Sequence, residues 1–262
     1  METMDNESFV IKNFRLISHG KIAYFGNFFH CLRIEILIKS FLFAKSWINS
    51  SSKDSLPPDF HNEKHKIMMD VMRIDDCVNE KNGKKIANAF QRENAYMRKL
   101  MGKDYRNKYN ASLYFVPNTF NNEDFNFTGY LKNFERVLTN HSNKVDSYRS
   151  NYPKCKTCVL FVCDESNSYV QLIDKEDLNR KEPLGKYYPH NCFVDSKFLS
   201  VIKDVKAEYV VWMGRWKYLT VNGKQIKIPK AAIYDIKNLK EKGFKYNHAM
   251  MHKVIEETKI QK

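Results

Sequence analysis

The stretch TCVLFVC, residues 157–163, constrains this chain more tightly than any other. It carries no charge and no alternation of polar with apolar residues, so a strand built from it must be covered on both sides. Pro153 separates it from the helical pattern that precedes it. Such a run predicts a central strand in a sheet with helices on its faces, and EYVVWM at 208–213 predicts a second buried strand.

The remaining pattern fits around these two runs. Residues 27–48 hold no glycine or proline and are apolar around most of a helix surface, which predicts a helix buried on more than one side. Residues 66–74 predict a strand in which Ile67, Met69 and Val71 point one way and Lys66, Met68, Asp70, Met72 and Ile74 the other. Residues 124–148 predict a long amphipathic helix, with Phe127, Leu131, Phe134 and Leu138 in helical spacing and Asp124 near the start, where it complements the dipole. Shorter strands are predicted at 111–116, 169–173 and 231–236, and a helix at 195–203. Asn222-Gly223, between strands at 218–221 and 225–228, predicts a hairpin because both turn residues accept positive φ. Asn82-Gly83 predicts a turn into a charged helix over 84–101, and the Lys-rich tail from 237 onward predicts mostly helix. The expected fold class is α/β, a single domain with a central mixed β-sheet flanked by helices. Its core is expected in 27–163, with 164–262 extending the same sheet and ending in the helical tail.

Composition narrows the function classes. The chain has 262 residues, 43% of them hydrophobic, with 18 Phe and 15 Tyr, enough for a substantial core. Lys and Arg total 44 against 30 Asp and Glu, a net charge of +14, and a polyanion such as nucleic acid is the partner this balance favours. The charges inside residues 28–48 argue against a membrane span. The polar, acidic opening METMDNESF lacks the basic-then-apolar pattern of a leader, so a cytoplasmic protein with reduced thiols is expected. Nine glycines and no Walker, dinucleotide or Gly-x-Ser-x-Gly motif disfavour kinase, ATPase, Rossmann and α/β-hydrolase chemistry.

The candidate site begins with Asp70, because a carboxylate inside an apolar strand is costly unless it is paired, hydrogen-bonded or bound to a metal. Pro58-Asp59 lies upstream with enough chain for a turn and an adjacent strand to bring Asp59 beside Asp70. Glu35 shares a helical stripe with Phe28, Cys31, Ile38 and Leu42 and completes a possible trio of oxygen ligands for a hard cation.

This order, a helix bearing Glu35, then Pro58-Asp59, then Asp70 within a strand, resembles the PD-(D/E)xK nuclease superfamily over about residues 27–115. The resemblance implies a restriction-endonuclease-like core. It also implies Asp59 and Asp70, supported by Glu35, holding Mg²⁺ or Mn²⁺ that activates water and stabilises the departing oxygen as a phosphodiester in DNA or RNA is cut. The family's lysine follows the second acid by two residues, where this chain carries Met72, while Arg73 points to the opposite face. Lys66 shares the face of Asp70 about 13 Å away along an ideal strand and is the candidate water-orienting cation, with Lys64 less constrained.

Other segments supply alternatives. Asp235 and Lys237 form an Asp-x-Lys pair at a strand end, a reserve site for which Asp195 or Asp164-Glu165 is the candidate second acid through space. The Cys155-x-x-Cys158 pair lacks a well-spaced second pair, since His190-x-Cys192 is an unusual partner, and no zinc is expected. His248 and His252 at i, i+4 would share a helix face, but Ala249 stands where a zinc peptidase carries its glutamate. Lys84, Lys85, Arg92, Arg98 and Lys99 on the charged helix, with Arg106 in the segment YRNKY, are the candidate nucleic-acid contacts. WMGRWKY at 212–218 interleaves aromatics with cations in a way that suits single strands, or else places its tryptophans in the core. The expected function is a metal-dependent nuclease, and the alternative is a non-catalytic nucleic-acid-binding or adaptor protein with a degenerate nuclease-like fold.

Overall fold

The two apolar runs become the middle of a seven-stranded sheet. The computed structural model describes residues 22–40, 47–50, 55–76, 80–81, 84–85, 126–179, 186–214, 219–221, 224–226 and 229–253. The chain runs through β1 (Ile22–Phe25), α1 (Phe28–Ser40), β2 (Ile48–Asn49), β3 (Phe60–Asn62), β4 (Ile67–Ile74), β5 (Glu80–Lys81) and β6 (Lys84–Lys85). Then follow α2 (Phe127–Ser142), α3 (Val145–Asn151), β7 (Thr157–Asp164), β8 (Tyr169–Leu172), β9 (Tyr187–Pro189), α4 (Ser196–Lys203) and β10 (Tyr209–Gly214). The last strands are β11 (Leu219–Val221), β12 (Lys224–Ile226), β13 (Ala231–Asp235) and β14 (Met251–Lys253).

The main sheet has the order β1-β13-β10-β7-β4-β3-β2. Strands β4, β7 and β10 are mutually parallel, β3 is antiparallel to β4, β13 is antiparallel to β10, and β1 is parallel to β13. The sheet is therefore mixed, as expected, and strands from beyond residue 164 join it.

Alternation along β4 assigns the two faces. Met68, Met72 and Ile74 pack with Leu160, Val162, Val210 and Trp212 against Phe127, Phe134, Leu138 and Tyr148 of α2 and α3 and Phe198 of α4. Ile67 and Met69 pack with Val159, Phe161 and Val211 against Cys31, Ile34 and Ile38 of α1. Every residue of β7 after Thr157 is buried, because each of its two faces has a helical layer above it. Gly26, at φ +99°, makes the turn from β1 into α1, where an added Cβ would lie 2.9 Å from the Asp235 carbonyl oxygen.

Several expectations change. The helix over 124–148 is two helices broken at Asn143-Lys144, with Asn126 capping the first through Gly129 N, while Asp124 lies outside the described residues. Asn82-Gly83 separates two short antiparallel strands, so Lys84 and Lys85 lie on β6 and not at the start of a helix. The tail is not helical over 237–253: it makes short 3-10 turns at Ile236–Asn238 and His248–Met250 and then β14, which pairs with β8. The hairpin around Asn222-Gly223 forms with Val221 opposite Lys224. The expected strand at 111–116 lies outside the described residues. Among the described residues no helix is long and apolar enough to cross a membrane.

Candidate functional site

Asp59 is the residue before β3, and Asp70 is the fourth residue of β4. Continuing the Phe60–Met69 register by one pair sets the two aspartates opposite each other. Asp59 is half-buried, and its Oδ2 accepts the Val71 N–H at 2.9 Å, which ties its side chain to the strand that carries Asp70. Period-two alternation gives both carboxylates the face covered by α2 and α3, Asp70 with Met68 and Met72, and Asp59 with His61, which stacks on Tyr152.

Asp70 is 5% exposed, so its charge needs donors. His141, in the last turn of α2, donates from Nδ1 to Asp70 Oδ2, and the Tyr148 hydroxyl of α3 donates to the same oxygen at 2.7 Å. The break between the helices lies between these two donors. Among the described residues Asp70 Oδ1 has no hydrogen-bond partner. Burial first, and then the charge of Asp70, push the Tyr148 hydroxyl far above the ordinary phenol range, so it remains a donor.

Glu35 does not join them. It lies on α1, whose buried residues pack on the opposite face of the sheet, and its Oε2 accepts the Tyr24 hydroxyl. The expected trio fails because a helix over one face and a strand residue pointing to the other cannot meet through the sheet. Among the described residues no three metal-ligating side chains are gathered closely enough to hold an ion by themselves.

Lys66 lies in the exposed turn before β4 at φ +55°, so the alternation that would have aligned it with Asp70 does not reach it. Met72, 3% exposed, fills the expected lysine position with apolar contacts under the helices. In the reserve pair, β13 ends at Asp235, and Lys237 follows in an exposed 3-10 turn, so the two share no strand face. Asp235 instead accepts from His30 Nδ1 at 2.9 Å and Asn238 Nδ2 at 2.8 Å. Lys237 is also too far across the sheet to complete the Asp70 site, since β13 and β4 are three strand spacings apart, about 14 Å.

Of the candidate nucleic-acid contacts, the side chains of Lys84 and Lys85 and the whole of Arg92, Arg98, Lys99 and Arg106 lie outside the described residues. Trp212 is fully buried and donates to Asp164 Oδ2 at 3.0 Å, so it is a core residue and no stacking platform. His248 and His252 do not share a helix face. His248 Nε2 donates to buried Asp195 at 2.9 Å, as does His190 at 2.8 Å, while His252, on β14, pairs with Val170 of β8.

His141 and Tyr148 were missed from sequence. Their signal was the spacing of 134, 138, 141, 145 and 148, which continues the apolar stripe through a histidine and a tyrosine. Comparison with protein-family models, with curated proteins and with solved structures found no match.

Proposed function

We propose that the chain is a metal-dependent nuclease with a restriction-endonuclease-like core, in which Asp59 and Asp70 hold the ion. The observation that carries this reading is the pairing of Pro58-Asp59, ahead of β3, with Asp70 inside β4, side by side on one face of the sheet. The donor set suits the ion. Mg²⁺ is commonly bound through one or two carboxylates and keeps water or substrate phosphate for its other positions, and Asp70 Oδ1 has no hydrogen bond among the described residues. When bound, the ion supplies an activated water and charge stabilisation at the phosphate.

The chain's own residues then have separate tasks. The Val71 N–H orients Asp59, while Tyr148 and His141 hold Oδ2 of Asp70 and leave Oδ1 for the ion. Glu35, Lys66 and Lys237 have no part in this site.

The test is incubation of the purified protein with single- and double-stranded DNA and RNA in Mg²⁺ or Mn²⁺. Cleavage that EDTA stops is expected. Asp70→Asn should slow it by about 100-fold or more, the scale of losing an electrostatic contact to the transition state, with thermal unfolding still cooperative. Intact substrates under every condition would overturn the reading.

The buried Met72 favours a second reading, a nucleic-acid-binding scaffold that does not cut. It expects binding indifferent to EDTA and falling steeply with salt.

A further inference from the structure

We propose that the amino end of α1 is a docking surface for single-stranded nucleic acid, with Phe28 and Phe29 as its stacking platform. Phe29 is 76% exposed and Phe28 52%, the rings are neighbours at 5.6 Å, and Phe28 rests edge-on against Tyr24 at 5.2 Å. Aromatic rings left in water at a helix end while the rest of the helix buries Cys31, Ile34 and Ile38 lie outside the packing of the fold.

Two exposed cations stand beside them among the described residues: Arg33, one turn beyond Phe29, and Lys237, on the turn that packs against Gly26. The first turn of α1 holds no acidic residue. The carboxylates nearest in the chain or by contact, Glu35 and Asp235, are buried and accept hydrogen bonds from Tyr24 and from His30 with Asn238. Rings that stack on bases beside cations that follow phosphates are the chemistry of single-strand recognition. A second copy fits less well, because an isologous contact would set the Arg33 and Lys237 cations of one copy in the same interface as those of the other. A membrane fits less well too, because the broad apolar face of α1 is already buried on the sheet.

The route from this surface to the cutting site rests on the nuclease reading. The carboxyl ends of β1 and β13 lie at the end of the sheet where β4 begins. A strand held at α1, beside β1 and β13 and over the opposite face from Asp70, has three to four strand spacings, roughly 14–19 Å, to cross and the end of the sheet to round before it reaches the carboxylate on β4.

The experiment is fluorescence anisotropy with labelled oligo-dT, oligo-U and a short duplex in EDTA, comparing the full chain with Phe28→Ala/Phe29→Ala and with Arg33→Ala. The single strands should bind more tightly than the duplex, and the double variant should bind them at least about tenfold more weakly. Its salt dependence should keep the original slope, whereas Arg33→Ala should flatten it. Unchanged single-strand binding in the double variant would overturn the proposal. So would oligonucleotides that fail to bind while anionic phospholipid vesicles do, or a dimer that the substitutions disperse. Loss of oligonucleotide binding with no cleavage by the wild type would leave this surface standing and remove the nuclease. Cleavage that depends on Asp70 with binding indifferent to Phe28 and Phe29 would do the reverse.

Discussion

Removing the Asp70 carboxylate would leave the Tyr148 hydroxyl and the His141 imidazole without the oxygen to which both donate. Asp70→Ala should therefore cost about 1–3 kcal/mol, the scale of stranding buried donors, whereas Asp70→Asn keeps the shape and an acceptor and should cost less. Urea unfolding of the two variants checks the difference. His61 offers a pH-dependent counterpart. Burial lowers its pKa, so the folded state refuses a proton that the unfolded state accepts once the pH falls below the ordinary histidine value. Its contribution is present above that value and is lost as the pH falls toward the lowered one. His61→Phe, which retains a ring against Tyr152, should lose less melting temperature than the wild type between pH 7 and pH 5, and an equal loss in both would contradict the assignment. Asp195 behaves in the same direction at lower pH. Burial alone would raise its pKa, but hydrogen bonds from His190, the Lys197 N–H and His248 outweigh it and hold the group below the usual carboxylate range. Its stabilisation is lost only as the pH falls through that lowered value.

Strand β7 is the element whose sequence fits its place most completely. Leu160 packs under α2 and Phe161 under α1, so Leu160→Ala and Phe161→Ala should each cost about 2–5 kcal/mol in denaturant unfolding. A half-exposed strand would show a large cost on one face only. The same logic made β4 legible, because alternation fixes a side chain's face once one neighbour is known to be buried. It also left Glu35 misassigned: a helical stripe identifies which residues point together, and nothing in the periodicity of α1 says which face of the sheet the helix will cover. The break at Asn143-Lys144 was hidden because the apolar spacing runs through it without interruption. The tail failed for a different reason. Lysines favour helix in isolation, but Asp195 captures His248, Phe244 bonds to Val194 and Ser196, and β14 completes a ladder with β8, so tertiary contacts override local propensity.

On the scale of the whole molecule, the sheet joins pieces far apart in sequence. Strand β1 pairs with β13, and the parallel trio β4, β7 and β10 is assembled from three well-separated segments. Apolar runs predict that such strands are central but not which neighbours they take, which is why the α/β class was legible and the order was not. The proposed site depends on this assembly in a specific way: β3 and β4 supply the two carboxylates, and the helices between β4 and β7 supply the donors that hold Asp70. The proposed site requires Asp59 and Asp70 together to bind one divalent ion. Titration of metal-free protein with Mn²⁺, followed by the electron paramagnetic resonance of the free ion, measures that binding. One bound ion per chain is expected, with binding lost in both Asp59→Asn and Asp70→Asn while each variant unfolds cooperatively. No bound ion in the wild type, or binding that survives in both variants, would contradict it.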